Sequence, residues 1–103
     1  MALLVLTVIH DREAHAVVRM VCEHRGCVPL TARDAPTARR MAAADRPHVI
    51  VCAPVLAREL REIVPEATII SVGALVPDAD HYVSVPLDAA AFGDMLDLRL
   101  SKS

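Results

Sequence analysis

Apolar and polar positions along the chain fall into two alternating patterns. Residues 3–9 form an apolar run broken only by Thr7. A continuous run, as opposed to strict alternation, suits a strand covered on both faces. After it, Ala14, Val17, Val18, Val21 and Cys22 recur at helical spacing, with Arg12, Glu13, Arg19 and Glu23 off the stripe. Gly26 stands where a helix C-cap glycine belongs. Residues 27–32 predict a second, weaker strand, and Pro29 places it at a sheet edge because proline removes a ladder donor. Asp34 is placed to cap a helix over residues 36–44, with Ala38, Met41 and Ala42 inward. A third run over 49–53 ends at Pro54. Leu56, Leu60, Ile63 and Val64 then make a helical stripe that Pro65 stops. Runs over 67–72 and 82–85 follow. Asp88 then opens a last helix with the stripe Phe92, Met95, Leu96 and Leu100.

The order is therefore β-α-β-α-β-α-β, a gap, then β-α. Strands separated by helices imply parallel neighbours and right-handed crossovers, which gives a three-layer α/β/α sandwich. The connection over residues 74–81, with Pro77 in its middle, has room for a helical turn or two and not for a full crossover helix. No linker, repeat or charge block divides the sequence, so residues 1–103 read as one domain.

Composition narrows the function. Apolar residues make up 54% of 103, enough to offset the entropy of ordering and exclude a disordered chain. With three glycines and no glycine-rich phosphate motif, a nucleotide cradle is excluded. A net charge of −2 with one Phe and one Tyr offers neither a basic field nor a stacking platform, so no nucleic-acid partner is expected. The apolar start is too short to span a bilayer and lacks a basic n-region, so no membrane partner is expected either. Cys22, Cys27 and Cys52 are an odd set without C-x-x-C spacing, which points to a reducing, cytoplasmic setting. Cys52 reads as an inert strand thiol. The five histidines show no metal-binding spacing, so no metal or other cofactor is expected. Arg33, Arg39, Arg40 and Arg46 gather around the second helix and read as a solvated face.

Four segments carry a family resemblance: Val8-Ile9-His10-Asp11-Arg12-Glu13, Pro47-His48-Val49-Ile50-Val51-Cys52-Ala53, Ile69-Ile70-Ser71-Val72-Gly73-Ala74 and Asp80-His81-Tyr82-Val83-Ser84-Val85-Pro86-Leu87-Asp88. Over essentially its whole length the chain resembles the CheY-like receiver domain of response regulators. That resemblance implies a flavodoxin-like parallel sheet in the order 2-1-3-4-5, here with a shortened or missing fourth helix. The family moves a phosphoryl group onto an Asp after the third strand. Mg²⁺ is held by an acidic pair after the first strand, with a hydroxyl after the fourth and a Lys after the fifth. On this chain the acidic pair maps to His10 and Asp11, the acceptor to Ala53, the hydroxyl to Ser71 or Val72, and the Lys to Val85. The resemblance thus implies a degenerate pseudo-receiver that is not an enzyme and needs no cofactor.

The expected function is signalling or scaffolding through protein partners, including self-association as a homodimer. Candidate interface residues are Leu75, Val76, Tyr82, Phe92 and Leu98. The shortened fourth crossover is expected to bare the sheet near Ile70, Val72 and Val83. The alternative is a sensory domain of a larger transcriptional regulator, binding a small ligand among His10, Asp11, Ala53 and Ser71 at the C-terminal strand edge.

Overall fold

Aspartates fix where three helices begin. In the computed structural model, which describes residues 2–101, Asp11 Oδ1 accepts from the Glu13 and Ala14 amides at 2.9 and 3.1 Å and opens α1 (Arg12–His24). Asp34 accepts from the Thr37 amide and opens α2 (Ala35–Asp45). Asp88 accepts from the Ala90 amide and opens α4 (Ala89–Ser101). Each carboxylate satisfies amides that the first helical turn leaves without partners. Pro54 starts a single 3-10 turn, Pro54–Leu56, that runs into α3 (Ala57–Ile63). Gly26 sits just past α1 at φ 71°, a left-handed conformation that favours glycine.

The strands β1 (Leu4–Val8), β2 (Val28–Thr31), β3 (Val49–Cys52), β4 (Thr68–Val72) and β5 (His81–Val83) form one parallel sheet in the order β2-β1-β3-β4-β5. This is the expected order. Successive strand residues face opposite layers. Val5, Val49, Val51, Ile70 and Val83 pack with α1 and α4, against Val18, Cys22, Phe92 and Leu96. Leu6, Val8, Ile50, Cys52 and Ile69 pack with α2 and α3, against Ala38, Ala42, Ala57 and Leu60. Two layers served by alternate residues account for the unbroken apolar runs. β2 is an edge strand as expected. Its Val28 and Ala32 amides donate inward to Leu3 and Thr7 of the β1 segment, which leaves Pro29 and Thr31 facing outward.

Charged side chains tie helices together at the surface. Arg25 reaches from α1 to Asp97 of α4 at 2.9 Å and lies over Gly93, where an added Cβ would stand 2.6 Å from its guanidinium. A side chain at this position would require the flexible Arg25 guanidinium to shift aside. Two members of the expected solvated arginine face are also paired. Arg39 meets Glu59 at 2.6 Å, and Arg46 meets Glu66 at 2.7 Å and the Ile63 carbonyl at 2.8 Å. They join α2 to α3 and to the segment after it, and each exposed pair is worth about 0–1 kcal/mol.

The connection between β4 and β5 carries no helix, in line with the expected shortened or missing fourth helix, but it departs from expectation in two other ways. β5 covers His81–Val83, earlier than the expected 82–85. The bared side is also the opposite one: Ile70 and Val83 are buried under α1 and α4, and Val72 packs on the same layer. Tyr82 has the opposite parity and is 45% exposed, on the face where no helix crosses β5. The connecting loop itself packs Val76 and Ala79 against the core cluster that contains Ile69.

Arg61 holds that loop in place. Its guanidinium donates to the carbonyls of Pro65, Ala67 and Asp78 and to the Asp80 carboxylate, the last at 2.6 Å. Asp80 Oδ2 also accepts from the Ile69 amide at 2.8 Å, while the Asp80 amide donates to the Ile69 carbonyl. A side chain here completes a backbone ladder before β5 begins. Partial burial pushes the Asp80 carboxyl up, but the Ile69 amide and the Arg61 guanidinium outweigh it and hold the pKa below its ordinary value.

Candidate functional site

The loops after β1, β3, β4 and β5 bring the carried-over positions to the C-terminal side of the sheet, where open α/β folds bind ligands. They do not form one pocket. Asp11 is held at the start of α1 by the two amides it caps. His10 beside it is exposed. Ser71 is fully buried in β4, in register with Cys52 and Tyr82, and its hydroxyl donates to the Ala74 carbonyl within its own turn. Val85 is 49% exposed and precedes a cis peptide bond to Pro86. Ala53 follows β3 in extended conformation and leads into the 3-10 turn. The proposed ligand set of His10, Asp11, Ala53 and Ser71 is therefore split: Asp11 caps α1 through Oδ1, Ser71 turns its hydroxyl to the Ala74 carbonyl, and only His10 and Ala53 share a cleft.

His10 and Ala53 do share a cleft of about 270 Å³. Val8 and Ile9 line it from β1 and the loop after it, Arg33 and Ala35 from the entry to α2, and Val55 and Leu56 from the 3-10 turn. Asp34 also borders it. The Thr37 hydroxyl and amide hold the Asp34 carboxyl below its usual range, so it remains a charged cap. Cys52 lies at the end of β3, fully buried, and burial pushes its thiol up to about 12. It stays protonated, without the thiolate that reactivity requires. Among the described residues, no group of three or more His, Cys, Asp or Glu is placed to hold a metal ion. A broader groove of about 590 Å³ runs along α1 between Arg12, His15, Arg19, Glu23 and Thr31, with charges of both signs.

Sequence reasoning missed two side chains near these loops. His15, expected on a helix surface, is half-buried, and its Nε2 lies 2.7 Å from the Ile9 carbonyl, which pins the loop that carries His10. Arg33 is exposed, as expected of a solvated face, and in addition borders the cleft. No local pattern marks either contact, since both depend on where the strand ends meet.

The candidate interface residues separate by burial. Leu75, Tyr82 and Leu98 are exposed, at 65%, 45% and 55%. Phe92 is completely buried, so its place in the interface set is corrected: it is the centre of the α4 contact with the sheet. Val76 turns inward against the α2–α3 layer. Among the described residues no helix is long and apolar enough to cross a membrane.

No protein-family model matches the sequence, and no curated protein sequence matches it. Solved structures do. A response regulator from Thermotoga maritima aligns with a TM-score of 0.84 at 15% identity, over 98% of this chain and 99% of that one. A CheY-like receiver domain protein from Methanospirillum hungatei JF-1 aligns at 0.84 and 14% identity, over 99% and 96%. A signal receiver domain from Bermanella marisrubri aligns at 0.80 and 18% identity, over 97% and 99%. The chain has the fold of a CheY-like response-regulator receiver domain.

Proposed function

We propose that this chain is a pseudo-receiver, a module that signals or scaffolds through protein contact without accepting a phosphoryl group. The observation that carries this reading is Ala53, a methyl group at the end of β3 where the resemblance places the acceptor carboxylate. A methyl group offers neither a nucleophile nor a hard oxygen ligand for Mg²⁺. Two further features support it. Val85 stands in the position of the charge-stabilising lysine, and Asp11, half of the acidic pair, is engaged as a helix cap. An apolar side chain cannot stabilise the charge that develops on a transferring phosphoryl group.

The test is an amide NMR titration with Mg²⁺ and beryllofluoride, a mimic of the aspartyl phosphate. No saturable shift is expected at Asp11, Ala53, Ser71 or Val85. Saturable shifts there, or a stable acyl phosphate formed from acetyl phosphate, would overturn the assignment.

Protein contact is proposed to include a homodimer that uses Tyr82 and Leu98. Tyr82 is exposed on the edge strand β5 and Leu98 on α4, and exposed large apolar side chains favour association. Sedimentation velocity should show a concentration-dependent dimer that Tyr82→Glu or Leu98→Glu disperses. A wild-type chain that stays monomeric at high concentration would remove self-association from the proposal.

A further inference from the structure

The cleft beside Ala53 lies at a junction in the fold. The chain leaves β1 for α1 on one face of the sheet and leaves β3 for α3 on the other. The two connections therefore diverge between adjacent strands, and a crevice opens outside their ends. In a receiver that works by phosphoryl transfer, carboxylates would fill this region with charge. Here Ile9, Ala53, Val55 and Leu56 make it apolar. Val55 is 84% exposed at its rim, an apolar side chain left in water by the free protein.

Arg33 borders this surface, exposed and with its guanidinium donors in no hydrogen bond or salt bridge among the described residues. It feels the charge of Asp34, which also lines the cleft, but the Asp34 carboxylate is hydrogen-bonded to Thr37 at the start of α2 and leaves those donors unused. A guanidinium offers a planar fork of donors that matches a carboxylate in bidentate geometry. An apolar wall beside it favours a ligand with a hydrocarbon body and a single charge over phosphate or sulfate, whose larger desolvation cost one guanidinium offsets less fully. The volume of about 270 Å³ falls just under the range of drug-sized pockets, so the ligand is small.

We infer that this cleft binds a small apolar monocarboxylate, its hydrocarbon body against Ile9, Ala53, Val55 and Leu56 and its carboxylate on Arg33. Ligand capture is independent of the homodimer and of the phosphoryl chemistry tested above. His10, on the same side, is exposed and available as a second donor.

The experiment is a titration of the full chain with benzoate and phenylacetate, followed by amide NMR, with benzyl alcohol as the uncharged comparison. Saturable shifts are expected at Ile9, Arg33, Ala53 and Val55. Benzyl alcohol should bind about tenfold more weakly or worse, as should benzoate to Arg33→Gln, because each loses the charge-assisted pair. Arg33 has no contact that holds the fold, so this variant should keep the wild-type spectrum elsewhere. Absence of saturation, shifts centred away from the cleft, or equal affinity for Arg33→Gln would each overturn the inference.

Discussion

Phe92→Ala is expected to cost about 3–5 kcal/mol, a large part of the roughly 5–15 kcal/mol that holds a typical domain folded. The side chain is completely buried in the layer between the sheet, α1 and α4. Its removal loses the transfer free energy of the ring and leaves a cavity that rigid strands cannot close. Urea unfolding followed by circular dichroism measures the change as a lower midpoint at unchanged slope. Leu98→Ala on the same helix is the comparison. Leu98 is exposed, so a change within about 0.5 kcal/mol is expected. Equal effects at the two positions would mean that α4 presents a different face to the sheet.

Arg61→Met is expected to cost about 2–3 kcal/mol, the range for losing hydrogen bonds to a charged group. The substitution keeps part of the aliphatic stem but leaves the Asp80 carboxylate and the carbonyls of Pro65, Ala67 and Asp78 without their common donor. The effect should depend on pH. Asp80 titrates below its ordinary value in the folded chain, so its stabilisation is fully present above the unfolded carboxyl pKa of about 3.9. It is lost as pH falls through the lower, folded pKa. The gap between wild type and Arg61→Met should therefore be largest near neutral pH and narrow in acid. A gap that does not change with pH would place the role of Arg61 in packing alone.

Much of this fold is readable from local pattern. Asp11, Asp34 and Asp88 mark helix starts because capping needs only a short side chain and the next few amides. Pro54 and Pro65 bracket α3 because proline cannot continue a hydrogen-bonded ladder or helix. The number and order of elements follow from these marks together with the apolar runs. What local pattern does not carry is parity within a run. Ile69 and Ile70 are adjacent and equally apolar, and only the fold shows that they face different layers. The bared side of the sheet was misassigned for that reason. The Arg61–Asp80 clasp and the Arg33 border of the cleft are also invisible locally, because they join residues brought together by the crossovers. The positions that the family resemblance assigns to a phosphoryl site can be placed from sequence alone. Their division into a helix cap, a buried hydroxyl and an apolar cleft depends on where the loops meet.

Pro29 bears on how the protein behaves when crowded. Growth of a cross-β fibre from a sheet edge requires a row of outward amides to template the next chain. On the four-residue β2 that row consists of Thr31 alone, since Pro29 has no hydrogen to donate. One flank of the molecule is thus a poor template for stacking, which leaves β5 as the sheet's other edge for strand-to-strand pairing.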